Sequence, residues 1–394
     1  MSINMDTNNN QKARIALVGA GWWAQGWHLP HLKENPSAEI VAIVDSSRQP
    51  TSALDPNLES LDILAERYNC KVYTSLDHML NEFHETGDEL NGIIVSAPHA
   101  THFELGRKIL EFQHIPKINI LMEKPFTTCI QEARLLHGAV QKLGRDRAFM
   151  VNHSANFRKQ AILAKSLVDS GALGSIRHVT AFMGSPLIWI FDNPKNSAWN
   201  EPSGSMLGNG FAWGQSSHIL AFLYLVTGLQ PSRVFCTMNH SEKTGADIAH
   251  AASIMCECGA TVSLSGTTLL PGDAHADPVV GKLIRLKIFG SKGALIYSGD
   301  GRKVESGSLQ FRREDGSVEE IAPEDGFKFE NIDQEGNGPE SLQAFIDACL
   351  GKEFFQGADC AIGLKTVQTI DAMYRSQKSM NAEPVIFGSE EEAL

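Results

Sequence analysis

The sequence predicts two unlike halves: an N-terminal doubly wound parallel sheet of the α/β class, then a C-terminal α+β half with an open antiparallel sheet. Three observations predict this. Short apolar strands alternate with helices as far as residue 151. The first strand runs into a glycine-rich turn that opens a helix. From Pro231 to about Ile321, strand-like segments follow one another across short turns.

In the first half, "RIALV" (Arg14 to Val18) leads into Gly19-Ala20-Gly21-Trp22-Trp23-Ala24, a G-x-G-x-x-A turn. The first glycine permits the tight turn and the second lets backbone approach a pyrophosphate. Ala24 allows close helix packing, and the helix N-terminus supplies N–H groups. A second strand, "EIVAIVD", ends at Asp45, where a ribose hydroxyl acceptor belongs. This makes the first half a Rossmann dinucleotide-binding domain and favours NAD. Ser46 and Ser47 follow, then Arg48, which could stack on adenine or meet a 2′-phosphate, so NADP stays open. The alternation continues through "GIIVSAP", "INILMEKP" and "AFMVNH". Ligands of such sheets sit beyond the carboxyl ends of the strands. Ser96, Ala97 and Pro98, Glu123 and Lys124, and Asn152 and His153 all fall there.

After Val151 the pattern changes. "SANFRKQAILAKSLVDSGALGSI" reads as one helix stopped by Gly171, and "IRHVTAFMG" as a strand before a loop rich in Trp, Asn and Pro. "FAWGQSSHILAFLYLVTG" reads as a helix closed by Gly228. Strand-like segments and two C-terminal helices complete the chain. The expected boundaries are 12–151 for the dinucleotide domain and 152–388 for a substrate and oligomerisation domain. Residues 1–11 and 389–394 are expected to be disordered.

A chain of 394 residues with 42% apolar content can bury two cores, and its net charge of −12 offers nucleic-acid phosphate nothing to neutralise. No stretch has the ~18 consecutive apolar residues of a membrane span, and the polar N-terminus lacks a signal's apolar region. A cytoplasmic protein is expected. The seven cysteines form no C-x-x-C pair. Asp273-Ala-His275-Ala-Asp277 reads as a polar turn, and no metal is expected.

Gly19-Ala-Gly21, the strand ending in Asp45, "VSAPHATH", "MEKP", "NFR" and His218 together resemble the Gfo/Idh/MocA oxidoreductase family, the glucose-fructose oxidoreductase and inositol dehydrogenase group. The resemblance runs from about Arg14 to Met380. It implies a cis Lys124-Pro125 bond, Lys124 as the proton-transferring group, His102 in the place of the family's histidine after the fourth strand, Arg158 beside the substrate, and a homodimer or homotetramer formed through the C-terminal sheet. The family's D-x-G-x-H reads Gly214-Gln215-Ser216-Ser217-His218 here, so the aspartate is missing while the histidine that would share proton transfer is kept.

An alcohol oxidation needs a base within hydrogen-bond reach of the hydroxyl. Lysine's ordinary pKa of ~10.4 would be lowered by burial and by the adjacent pyridinium. Phe211, Gly214, Gln215, His218 and Phe222 share one helical face. Gln215 can donate or accept a hydrogen bond but cannot act as acid or base. Trp189, Trp199 and Trp213 bracket this region, either to stack on a sugar ring or to pack a long loop. The expectation is an NAD(P)-dependent dehydrogenase acting on a secondary hydroxyl of a carbohydrate or polyol. Two other readings stay open: a glycoside-cleaving enzyme that oxidises C3 transiently, and a nucleotide-binding regulator without catalysis.

Overall fold

In this computed structural model the described residues are 11–112, 118–142, 147–273, 279–329 and 339–386. The first sheet has six strands: β1 (Ala13–Val18), β2 (Ala38–Val44), β3 (Lys71–Tyr73), β4 (Gly92–Val95), β5 (Asn119–Met122) and β6 (Phe149–Val151). Their order is β3-β2-β1-β4-β5-β6, and every pairing is parallel. Helices fill both faces, so the strands are apolar throughout rather than alternating. Ile15, Ala16 and Leu17 have no exposed surface at all. Burying an isoleucine or leucine of this kind contributes about 1.5–3 kcal/mol.

The connecting helices are α1 (Leu29–Glu34), α2 (Leu61–Tyr68), α3 (Leu76–Thr86), α4 (His102–Glu111) and α5 (Ile130–Gln141). Local chemistry starts and stops several of them. Ser60 and Ser75 accept from Ile63 N and His78 N as N-caps, and left-handed Gly87 closes α3. A π-turn, Ala24–His28, precedes α1.

The expected single helix after Val151 is broken. Ser154–Phe157 is a 3₁₀ turn, Arg158 is extended with ψ 147°, and α6 (Lys159–Asp169) begins after it. Long-range bonds cause the break. Asn156 donates to the carbonyls of Ala221 and Gly357, and Arg158 reaches Glu340. The loop after β7 (Ile176–Gly184) carries two short helices, α7 (Ile188–Phe191) and α8 (Ser197–Asn200). A π-turn, Ala212–Ser216, precedes α9 (Ser217–Thr227), and left-handed Gly228 ends α9 as the sequence predicts.

The second sheet adds β8 (Pro231–His240), β9 (Asp247–Cys256), β10 (Thr261–Thr267), β11 (Leu283–Gly290), β12 (Gly293–Asp300), β13 (Lys303–Arg313), β14 (Val318–Ile321) and β15 (Glu383–Pro384). Its order is β14-β13-β12-β11-β7-β10-β9-β8-β15. One pairing departs from the antiparallel expectation, because β10 runs parallel to β7. The chain leaves β7, crosses through α9, and comes back along the β8-β9-β10 meander in β7's own direction. The sheet is therefore mixed, though mostly antiparallel.

Helix α11 (Cys360–Ser379) packs on β8, and α9 on β7. The opposite face is open. On it a single row of paired residues runs Arg233, Met255, Thr261, His178, Phe289, Ala294 and Arg312. Met255 and Phe289 are exposed in that row. Helix α10 (Glu340–Cys349) returns to the first sheet and packs on β5 and β1. There Phe345 and Cys349 lie so close to Gly92 that a Cβ would stand 2.6 and 2.5 Å from them. Among the described residues no helix is long and apolar enough to cross a membrane.

Candidate active site

A cavity of about 910 Å³ opens where the carboxyl ends of β1, β4, β5 and β6 face α7, α8, the π-turn before α9 and the rim of the second sheet. Its floor starts at the glycine turn. Gly19 has φ +95° and donates its N–H to the Val44 carbonyl, and a Cβ on it would sit 2.6 Å from Ala97 N. Gly21 differs: nothing lies within 4 Å of where its Cβ would be, and it lines the cavity with Trp22 and Trp23. Asp45 closes the turn from β2, accepting from Ala20 N at 2.9 Å and Ser47 N at 3.0 Å. Ser46 is exposed, and exposed Arg48 pairs with Asp62 at 2.5 Å. Such a surface pair contributes little to stability.

Glu123, buried at the end of β5, is the hub of the site. Its Oε1 accepts from Trp23 Nε1 at 3.0 Å, His28 Nε2 at 2.8 Å and Asn152 Nδ2 at 2.7 Å, while Oε2 accepts from Lys124 N at 3.1 Å. Burial works to raise its pKa. The His28 hydrogen bond and charge, helped by Lys124 and Asn152, outweigh burial and hold it down to about 2. The carboxylate thus ties the glycine-turn helix and β6 to the lysine that follows it.

The Lys124-Pro125 bond is cis. The Lys124 ammonium donates to the Gly214 carbonyl at 2.8 Å and lies 5.0 Å from the centre of the Trp199 ring. Buried His102 faces the Pro125 carbonyl at 2.8 Å and the Ala97 carbonyl at 3.0 Å, joining the loops after β4 and β5 from behind. It supports Ser96, Ala97 and Pro98, which line the cavity; His102 does not.

His218 and Gln215 line the opposite wall. Burial, then the charges of Lys124, His153 and Lys282, push the His218 imidazole well below its usual pKa. The ring is therefore neutral near pH 7 and can accept a proton. His153 stands behind it, edge to face at 5.7 Å, and burial with Lys124 pushes it to about 3. The π-turn that carries Gly214 and Gln215 is anchored by Asp247, which accepts from Ala212 N at 2.8 Å and from the Tyr374 hydroxyl at 2.5 Å. Asp247 lies away from the cavity, so it does not replace the aspartate missing at 214.

The residues read from the sequence thus divide. Lys124, His218, Gln215, Asn152 and Glu123 meet at the cavity, as do Gly21 and the residues following β4. Gly19, Ala24, Asp45, Ser46 and Arg48 belong to the turn and the adjoining strand end rather than to the lining. Trp213 does not reach the cavity: it is buried, donates to the Gly208 carbonyl and stacks on Tyr374. Arg158 is likewise buried, paired with Glu340 at 2.6 Å. Trp189 meets the edge of Trp22 at 6.3 Å and sits behind it.

Sequence reasoning missed Phe191, His99, Lys282 and Arg302 as lining residues, and left Trp199 undecided between packing and the site. The only signal for the aromatic members was the crowding of rings in the loop after β7. Among the described residues no three His, Cys, Asp or Glu gather as a metal site. His275 and Asp277 of the acidic turn lie outside the described residues.

Two family models match this chain, the Gfo/Idh/MocA oxidoreductase family with its NAD-binding Rossmann fold over residues 13–153, and the Gfo/Idh/MocA C-terminal domain over residues 162–296. The chain belongs to the Gfo/Idh/MocA oxidoreductase family. It is 22% identical to the oxidoreductase YdgJ of Escherichia coli over 348 residues, which covers 86% of this chain and 89% of that one. It is 27% identical to the D-glucoside 3-dehydrogenase of Escherichia coli over 169 residues, 43% of this chain and 42% of the other. The fold of the WlbA dehydrogenase of Bordetella pertussis, solved with NADH and UDP-GlcNAcA, matches with a TM-score of 0.67 at 18% identity, covering 96% of this chain and 100% of that one.

The buried histidines carry a consequence for stability. Burial pushes His99 and His153 to about 3 and His250 to about 4, and His218 well below its usual value. Above about pH 6.5 these rings are neutral in both folded and unfolded chains, so their contribution is fully present. As pH falls below 6.5 the unfolded chain takes up protons that the folded one refuses. Stability is then lost by on the order of 1 kcal/mol per pH unit for each ring. Asp247 and Glu132, whose carboxyls burial raises, act in the opposite direction, but they are two groups against five, since burial lowers His102 as well. The urea midpoint is expected to drop steeply from pH 7 to pH 5, and a flat profile would contradict the buried neutral rings.

Proposed function

We propose that this protein transfers hydride between a nicotinamide dinucleotide, NAD in preference to NADP, and a secondary hydroxyl of a sugar, glycoside, sugar acid or cyclitol. The observation that carries the reading is the meeting of Lys124 and His218 in one cavity whose floor is the glycine turn. A dinucleotide fits the residues present: Gly21 leaves open space at a helix N-terminus, and each oxygen of Asp45 keeps a lone pair for a ribose hydroxyl. Bound there, the cofactor supplies the hydride acceptor, or in reverse the donor.

The chain's own residues handle the proton. As the C–H pair of electrons leaves the alcohol as hydride, the hydroxyl proton must go to a base in reach. Neutral His218 takes it, while the Lys124 ammonium donates a hydrogen bond to the oxygen and stabilises its developing negative charge. In the reductive direction His218, now protonated, returns the proton to the oxygen while Lys124 keeps its hydrogen bond to that oxygen. Their joint presence weighs against a regulator that has lost catalysis. Trp22, Trp199 and Phe191 give the cavity aromatic faces that suit the apolar side of a pyranose or cyclitol ring.

A panel of sugars, glycosides, sugar acids and cyclitols with NAD and with NADP, read by the absorbance of the reduced nicotinamide, tests the reading. Turnover with no member of the panel on either cofactor would count against it. Asp45→Ala is expected to narrow the preference for NAD, because a carboxylate repels a 2′-phosphate. Tighter NADP binding by the wild type would move the discrimination to Arg48.

The open face of the second sheet, with Met255 and Phe289 exposed in a row near one end of its strands, is proposed as the contact of a homodimer or homotetramer. Light scattering at micromolar concentration should give a mass of two or four chains. A monomer would end that part of the reading.

A further inference from the structure

The Lys124 ammonium sits between a carbonyl and an aromatic face. Gly214 O accepts from it at 2.8 Å, and the Trp199 ring centre is 5.0 Å away. Trp199 is itself held. The Phe191 ring meets it edge to face at 6.4 Å, His99 tilts against it at 4.5 Å, and its backbone N–H bonds the Asn196 carbonyl at 3.0 Å. These rings also fill the space beside Gly214. A Cβ there would stand 2.8 Å from Phe191 Cζ and 3.3 Å from Trp199 Cζ3, so the wall leaves no room for a carboxylate at 214 unless Phe191 moves. An indole face attracts a cation through its quadrupole, more strongly where water is excluded.

We propose that Trp199 is a positioning residue for proton transfer, its ring holding the Lys124 ammonium against the Gly214 carbonyl and aiming it into the cavity. The proposal rests on the reading of Lys124 as the group that binds the reacting oxygen. Trp199 also favours the charged form of Lys124, so removing the ring lowers the lysine's pKa. The other titratable groups around Lys124 are Glu123, which precedes it, and His99, His153 and His218, with Lys282 beyond His218. Of these, His99 also packs on Trp199, and the leucine, methionine and phenylalanine variants are compared with that contact in view.

The test needs no substrate. The full-length protein is labelled with acetic anhydride across a range of pH, and the modification of Lys124 is followed by peptide mass spectrometry. The midpoint of the rate curve reports the lysine's pKa, while its plateau reports access, so a merely opened cavity is told apart. Trp199→Leu and Trp199→Met are expected to shift the midpoint down by about 0.5–1.5 pH units, and Trp199→Phe, with a weaker quadrupole, by less.

Circular dichroism and NAD binding show which variants fold. Should the leucine variant not fold, the methionine and phenylalanine variants make the same comparison. Midpoints that superimpose on the wild type in a variant that still binds NAD would overturn the role of Trp199. Unchanged turnover in Lys124→Ala would instead remove the reading of Lys124, and the two failures are distinguishable.

Discussion

Lys124→Ala is expected to lower turnover by about 10²–10⁴-fold on any substrate the panel identifies, the range typical of losing a group that moves or stabilises a proton in the transition state. Cofactor affinity should change by less than about twofold, because the glycine turn, not the lysine, forms the cofactor's floor in the proposed reading. Methylamine added to the alanine variant should restore part of the rate, since the cavity is large enough to admit it and the missing group is an ammonium. His218→Ala should cost a comparable factor. Wild-type turnover in both variants would mean that the proton leaves by another route, with Gln215 and His153 next in line.

The second large effect separates two glycines that look alike in sequence. Gly19→Ala is expected to destabilise the fold by about 2–6 kcal/mol. It forces a side chain into a left-handed conformation and drives the Cβ to 2.6 Å from backbone atoms of the next strand's loop. Gly21→Val should leave the denaturation midpoint within experimental error, since nothing of the protein lies near that Cβ. Its cost should appear in calorimetry as a loss of NAD affinity of about 10–200-fold, the equivalent of roughly 1–3 kcal/mol of crowding. Unchanged NAD affinity in Gly21→Val would place the cofactor elsewhere.

The parts of the site that were legible in the sequence are those set by neighbours along the chain. A strand, a glycine turn and a carboxylate at the end of the next strand are local patterns, and "MEKP" announces its own turn. The wall opposite was legible only in part: Gly214, Gln215 and His218 line the cavity as their shared face implies, while Phe211, Trp213 and Phe222 do not. The helical-face argument assumed 3.6 residues per turn through Phe211, Gly214, Gln215 and His218, but residues 212–216 form a π-turn. The three polar positions still reach the cavity, but buried Trp213, between them in the chain, turns away and stacks on Tyr374.

Arg158 shows the second limit. The family resemblance put Arg158 beside the substrate, but its partner Glu340 lies 182 residues away in the chain. Only the closed fold shows that the charge is already matched. Asp247 is a further case, because its work of anchoring the π-turn depends on Tyr374 from the C-terminal helix. No spacing rule joins positions that far apart.

Helix α10 gives the molecule a schedule as well as a shape. The β1-β4-β5 face that it covers is synthesised early, and the covering helix is made only about 250 residues after β4. At roughly 5–20 residues per second, a ribosome leaves that face bare for about 10–50 s. Gly92, which has no side chain so that Phe345 and Cys349 can settle over it, spends that interval as a bare notch in an apolar sheet. The nascent first half therefore waits, unfinished and in need of shelter, until the last seventh or so of the chain arrives to close it.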